Sequence, residues 1–410
     1  MKRRRLVCID ARNSTGGGSI SLKVAGSYLR KVWHARRQSA SIEAHVRPVS
    51  PASSLPCHTK FEEACIAGSG VHIMALAQAL KFIGAVDHVE QWHFLKSRSG
   101  ALTHMWQRLA SRTRNRAGEK WWVCDRRGLS PALSAYLKLE ENRPSVLLVA
   151  GTVEYGKMLA DVLSACKDSF KVSYPLSWAP WSREDVTKEL FDLYLVDEPA
   201  AIEEMKRCVP RASAIEYPKQ VDYVRTFFPL AHVEKEYDFV VSGAVCQAKG
   251  QDIVIRAASA LQQRHGVKLR CCFVGPERFE KGWQSGLEHM ARDEGVDVTF
   301  TGQVSRDEVN VYLNKSRVGV IASWWEVAPR ALLEYMAADI PVMVNARLKS
   351  GLKYVRPDVG VIAEPEQMAD AMWSVLENPG RFRPRETLIR EFGASALLRC
   401  ARSIADRMVQ

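Results

Sequence analysis

The chain reads as an α/β protein of two Rossmann-like domains that face each other across a cleft. Short runs rich in Val, Ile, Leu and Phe alternate with segments whose apolar residues recur at helical spacing. This happens across residues 129–218 and again across 237–345. Such runs, each separated from the next by one helix, imply parallel strands, because a parallel pair needs a crossover long enough to hold a helix. Between the two series, residues 218–236 carry no periodic element, and 410 residues suit two or three domains. The domains are therefore expected at 1–230 and 231–390, with residues 391–410 forming a helix that returns to the first.

The elements follow in order. Residues 1–13 read as a basic strand, followed by the glycine turn 16–18 and a helix over 21–33. Residues 34–56 are polar with little periodicity. A helix with glycines at its start spans 68–84, and strands fall at 88–95 and 120–125. From residue 129 the alternation is regular. Helices at 130–142, 156–166, 183–191 and 200–209 separate strands at 145–151, 170–176, 193–197 and 213–218. In the second series, strands at 237–243, 268–275, 297–302, 317–323 and 340–345 alternate with helices at 250–264, 282–295, 305–316 and 329–338. Pro329 stands where the first helical residue belongs, since proline there loses no needed N–H. Residues 396–409 form a closing amphipathic helix.

The formal net charge of +12 is unevenly placed. Residues 1–116 hold 19 Lys and Arg against 6 Asp and Glu, while the rest of the chain is nearly balanced. That asymmetry points to an anionic partner for the first region: acidic lipid, nucleic acid or an acidic glycan. Arg30, Lys31, Arg36 and Arg37 flank Tyr28 and Trp33. Arg108, Arg112, Arg114 and Arg116 flank Met105 and Trp106. Cationic helices that carry aromatics suit an anionic membrane surface. Nucleic acid is the competing polyanion and ranks below it, because no nucleic-acid-binding motif is present. Ten cysteines occur without a C-x-x-C pair, which fits reduced thiols in a cytoplasmic protein, at most peripheral on the inner face of the membrane. No metal site is expected. D-x-D is absent, and so are a G-x-x-x-x-G-K-[ST] phosphate loop and a serine-hydrolase elbow.

The chemistry gathers at strand ends in the second series. In doubly wound sheets ligands bind beyond the carboxyl ends of the strands, and helix starts there attract anions. Lys249 and Gly250 precede one helix, where an ammonium and a close backbone suit a phosphate. Residues 300–304 (Phe-Thr-Gly-Gln-Val) form a second turn. Glu326 lies in the loop before the helix that begins at Pro329, and Glu334 lies in that helix, with seven residues between the two carboxylates.

Residues 185–380 resemble the family-4 retaining glycosyltransferases (glycosyl transferases group 1), which have the GT-B fold. The resemblance rests on the strand ending at Gly243 with its Lys249-Gly250 turn, the turn containing Gly302 and Val304, the Glu326/Glu334 pair, and Val221-Asp222 in the interdomain stretch. It implies a transferase that moves a hexose from a nucleotide diphosphate sugar to a hydroxyl acceptor, lipid-linked or polysaccharide, with retention. It implies no metal and no cofactor beyond the donor. Glu326 would bind sugar hydroxyls beside the N–H groups of Val327 and Ala328. Glu334 would take the ribose hydroxyls, since a carboxylate suits a vicinal diol. Lys249 would neutralise the diphosphate leaving group, and the N-terminal half would bind the acceptor, with Gly17 and Gly18 or Gly68 and Gly70 lining the cleft.

The chain departs from the family pattern at three places. Ala244 stands where an arginine is usual, and Arg330 is the expected substitute. Tyr174, Ser177 and Trp178 occupy the region of a usual histidine, and Lys219-Gln220 replaces Asn-Gly. These departures keep a second reading open: a non-catalytic nucleotide-sugar or carbohydrate-binding protein of the same fold. A glycosyltransferase acting on nucleic acid is the third.

Overall fold

The computed structural model describes residues 4–10, 59–67, 72–96, 119–124, 131–150, 156–175, 188–211, 213–324, 326 and 329–409. The first domain contains a seven-stranded parallel sheet. Its strands are β1 (Arg5–Asp10), β2 (His88–Lys96), β3 (Glu119–Cys124), β4 (Val146–Ala150), β5 (Phe170–Tyr174), β6 (Leu193–Val196) and β7 (Ser213–Glu216), in the order β3-β2-β1-β4-β5-β6-β7. Its helices are α1 (Lys60–Cys65), α2 (His72–Phe82), α3 (Pro131–Lys138), α4 (Gly156–Ala165) and α5 (Pro199–Cys208). The basic segments 21–37 and 101–118, with their membrane and nucleic-acid readings, lie outside the described residues. So do Gly17, Gly18, Gly68 and Gly70. Within the described residues, the helix expected at 183–191 appears as one 3-10 turn, Lys188–Leu190.

The second domain has six parallel strands: β8 (Tyr237–Ser242), β9 (Arg270–Val274), β10 (Asp297–Phe300), β11 (Ser316–Ile321), β12 (Val342–Asn345) and β13 (Gly360–Ala363). Their order is β10-β9-β8-β11-β12-β13. Its helices are α6 (Gln251–His265), α7 (Trp283–Asp293), α8 (Arg306–Asn314), α9 (Arg330–Ala337) and α10 (Met368–Glu377). The chain closes with α11 (Pro384–Thr387) and α12 (Ala394–Arg407). In each sheet the order reverses once, between β1 and β4 and between β8 and β11. Those crevices are where such folds bind ligands.

The strand sequences dictate the layering. Central parallel strands are covered on both faces and so read as continuous apolar runs. Their side chains still alternate. Val240, Cys272, Val274, Val342 and Val344 join one core, while Phe239, Val241, Cys271, Phe273 and Met343 join the other. The first of these cores runs on into the first domain through Tyr217, Tyr223 and Phe227 to Leu148 and Leu195. Helix α12 joins it too, burying Leu397, Cys400, Ala401 and Ile404 at helical spacing and packing against α2.

The segment between the sheets is held by side chains rather than by a ladder. Asp222 accepts from the N–H groups of Val224 and Arg225 (3.2 and 2.9 Å) and from the Thr226 hydroxyl (2.7 Å). Asn310 and Asn314 of α8 bind the backbone at Phe228 and Leu230. Arg385 donates to three carbonyls, of Ala337 (2.6 Å), Tyr223 (2.9 Å) and Phe227 (3.3 Å), joining this segment to the end of α9. Arg385 is buried at 8% exposure, so each carbonyl would lose its partner out of reach of water. We expect Arg385→Met to cost about 2–4 kcal/mol, visible as a lower urea midpoint; an unchanged midpoint would show the clamp to be dispensable.

Candidate active site

Gly250 places the first functional side chain. A short 3-10 turn, Gln247–Lys249, follows β8, and Gly250 then adopts a left-handed φ of 68°. A Cβ at Gly250 would lie 2.9 Å from the Ala322 carbonyl oxygen and 3.0 Å from the Ala322 Cβ. Only glycine lets the turn lie against the end of β11. The turn is braced from the other side by residues 276–278, through Val245 N–H to Pro276 O (2.9 Å) and Arg278 N–H to Val245 O (3.1 Å). Gly243 has a φ of 141°, which favours glycine, and a Cβ there would touch the Lys249 Cε at 3.4 Å.

Lys249 thereby reaches Glu326, and the two side chains form an ion pair, Nζ to Oε1. The Ser323 hydroxyl donates to the same carboxylate oxygen at 3.1 Å. The two side chains are 25% and 15% exposed, so water screens the pair less than it would a surface pair.

Glu334 is placed by its neighbour. Gly319 in β11 has no Cβ, and the Tyr335 ring fills that space; a Cβ would meet the ring at 2.5 Å. The Tyr335 hydroxyl accepts from Ser242 N–H at 2.7 Å and donates to Val240 O at 3.4 Å. Helix α9 is thus tied to the end of β8. On it, the Glu334 side chain is 12% exposed, with Arg330 Nη2 3.7 Å from Oε1. Burial raises the Glu334 carboxyl above its ordinary value, while Arg330, Arg306 and Lys249 pull it back down. Three cations therefore face one buried carboxylate.

Gly302 lies at the end of β10 and bridges to Gly275, whose N–H reaches Thr301 Oγ1 at 3.3 Å. Val304 packs on the core beside it. Val327 and Ala328, expected to offer N–H groups beside Glu326, lie outside the described residues. Ala244 contributes its carbonyl, which accepts from Gln251 Nε2 at 2.9 Å. On the first-domain side, Tyr174 is fully buried with its hydroxyl on Asp197 (2.7 Å), and Lys219 Nζ lies 3.6 Å from the same residue. Ser177 and Trp178 lie outside the described residues. Among the described residues no cluster of three or more His, Cys, Asp or Glu could hold a metal ion.

Three contributors escaped the sequence reading. Ser323 stands three residues before Glu326 in the same loop. Tyr335 is signalled only by Gly319, since a glycine inside a strand marks a close approach. Arg306, whose guanidinium lies 5.2 Å from the Phe227 ring, looks like an ordinary member of the Ser305/Glu308 capping box. Together these residues offer cations at the start of an eight-residue helix, flanked by two carboxylates 8 positions apart in sequence, at the crevice where strand order reverses. Such a set can neutralise a phosphate and bind hydroxyls on either side of it.

Residues 224–391 match the family described as glycosyl transferases group 1. No curated protein matches the chain by sequence. Among solved structures, Anabaena HepE, crystallised with UDP and glucose, is 12% identical at a TM-score of 0.59, over 99% of this chain and 100% of that one. Sucrose-phosphate synthase from Thermosynechococcus elongatus is 13% identical at a TM-score of 0.60, over 99% of each chain. A variant of S. aureus TarM, solved with fondaparinux, alpha-GlcNAc-glycerol and UDP, is 14% identical at 0.51 over 63% of this chain. The chain spans only 55% of that protein's length. At these identities the likeness concerns the fold. Residues 224–391 thus match the glycosyl transferases group 1 model, within a chain that has the GT-B architecture.

Proposed function

We propose that the protein is a glycosyltransferase that moves a hexose from a nucleoside diphosphate sugar to a hydroxyl of a glycan or lipid-linked acceptor. The Lys249–Glu326 pair at the start of α9 carries this reading. It brings together the two groups that a sugar diphosphate would bind. The diphosphate takes Lys249, and the released Glu326 carboxylate accepts sugar hydroxyls. Glu334 takes the ribose diol. Arg330 and the N–H groups at the start of α9 add positive potential where the phosphates lie.

As the bond from the anomeric carbon to the diphosphate oxygen breaks, negative charge grows on that oxygen. Lys249 is worth more in that state than in the ground state, which makes it catalytic. The acceptor oxygen forms the new bond, and its proton passes to the departing phosphate oxygen, the base that the reaction itself supplies. Retention and independence of metal rest on the resemblance of residues 185–380. The excess of Lys and Arg in residues 1–116 supports an acceptor held at an anionic surface, with a lipid-linked sugar ahead of nucleic acid. The described free cysteines accord with a cytoplasmic setting, and no helix among the described residues is long and apolar enough to cross a membrane.

The deciding experiment incubates purified protein with a panel of UDP- and GDP-sugars and an acceptor mixture, and follows the release of free nucleoside diphosphate. Release that depends on acceptor supports transfer. Binding without release or transfer across the panel would favour the non-catalytic reading, which Ala244 keeps in view. Lys249→Ala and Glu326→Ala should each lower turnover by roughly 100- to 1,000-fold, the usual loss for a transition-state contact. Wild-type rates in both would remove the site.

A second prediction concerns pH. The Glu334 carboxyl is raised by burial, so it takes up a proton at a pH where an exposed glutamate, with a value of about 4.3, remains charged. A protonated carboxyl accepts both ribose hydroxyls poorly. Nucleotide affinity should therefore fall with decreasing pH, starting above that ordinary range, and Glu334→Gln should flatten the dependence. A titration that is identical in the variant would remove Glu334 from the site.

A further inference from the structure

Beside the donor site, residues 348–354 leave the second domain and grip the first. The loop is held at two points. Glu198, the residue capping α5, accepts the Gly351 N–H at 2.7 Å and the Ser350 hydroxyl at 3.4 Å, both on Oε1. Two residues on, Lys353 donates to Glu216 at 2.7 Å and to the Asp197 carbonyl. In all four bonds the loop donates and the first domain accepts, at the carboxyl ends of β6 and β7.

The same loop touches the proposed donor-binding segment. Gly351 has a φ of 95°, and a Cβ there would lie 2.5 Å from Pro329 Cγ, 2.9 Å from Pro329 Cδ and 3.6 Å from Leu332 Cδ2. Pro329 is the residue before α9, three positions after Glu326 and one before Arg330. Its carbonyl accepts the Leu332 N–H at 3.2 Å, closing the first turn of α9. The chain of contact therefore runs from Glu198 to Gly351, from Gly351 to Pro329, and from Pro329 to the helix start that would receive the diphosphate.

We infer that Glu198 is a positioning residue: by holding Gly351 against Pro329 it sets the first turn of α9 and the loop bearing Glu326. This rests on the donor-site reading above. Because Glu198 belongs to the first domain, the donor site is fully formed only while the two domains stand together. Domain opening withdraws Glu198 and relaxes the helix start. Acceptor-side closure and donor-side geometry then become one event, which protects the donor from water until the acceptor domain is in place.

Three variants test this: Glu198→Ala, Glu198→Gln and Gly351→Ala. The readouts are kcat and KM for donor and acceptor, the thermal midpoint, and amide hydrogen exchange across residues 329–337 without nucleotide. Glu198→Ala should lower kcat about tenfold or more, a usual consequence of misplacement by a fraction of an ångström to an ångström. Acceptor KM and the midpoint should change little, and the Leu332 amide should exchange faster. Glu198→Gln keeps an oxygen for Gly351 N–H and should stay within about threefold of wild type. Gly351→Ala should reproduce the Glu198→Ala behaviour with Glu198 intact. Unchanged exchange at Leu332 in both Glu198→Ala and Gly351→Ala would overturn the inference, as would a glutamine variant as impaired as the alanine one. If the wild-type protein turns over no donor at all, the transferase reading fails, yet the exchange comparison still decides the role of Glu198.

Discussion

The backbone of Gly250 lies against the carbonyl of Ala322, and the placement of the whole donor-side constellation depends on that contact. It brings the turn after β8 to the end of β11, across the point where strand order reverses. Lys249 then meets Glu326, with its stem beside Gly243. Tyr335 completes the arrangement from below, because its hydroxyl joins α9 to Ser242 at the end of β8. Three chain segments far apart in sequence are locked at the edge of one sheet by a missing Cβ at Gly250, a missing Cβ at Gly319 and one phenol. A rigid platform of this kind positions charges in advance, so that little reorganisation is needed when a ligand arrives.

The charges follow one logic. Three cations near the site each have a carboxylate within 4 Å. Lys249 is matched with Glu326, and Arg330 with Glu334. Lys219 lies by Asp197, and burial lowers its ammonium below the ordinary value. In the proposed function a sugar diphosphate would take the cations of the first two pairs, and its hydroxyls would supply hydrogen bonds to the two carboxylates in their place. The site also carries losses. Ala244 supplies no positive charge, and Pro329 has no N–H to offer at the helix start. Arg330 and Arg306, both facing Glu334, supply cations in compensation.

Much of this was legible in the sequence, for a physical reason. Central strands buried on both faces must be apolar throughout, so β4, β8, β9, β11 and β12 announce themselves, and so do the helices between them. Glu326, Glu334 and Lys249-Gly250 are legible because they lie at strand ends, where residue type follows local chemistry. Long-range partners are not legible. Nothing near Glu198 in sequence points to Gly351, 153 positions away, and Arg306 hides in a capping box that would serve any surface helix. The edge strand β13 is not legible because the segment from 346 to 367 mixes glycine, proline and charge, which masks its short apolar run. Helix α1 is only six residues long, too short for apolar periodicity to mark it, although Thr59 and Glu62 form its capping box.

The most direct test of the central claim is a crystal structure of the protein with UDP or GDP bound. The account predicts the diphosphate at the start of α9 within hydrogen-bonding distance of Lys249 Nζ. It also predicts the ribose diol on Glu334 and the Lys249–Glu326 pair opened. A nucleotide bound elsewhere, or bound here with that pair still closed and no contact from Lys249 to phosphate, would contradict it.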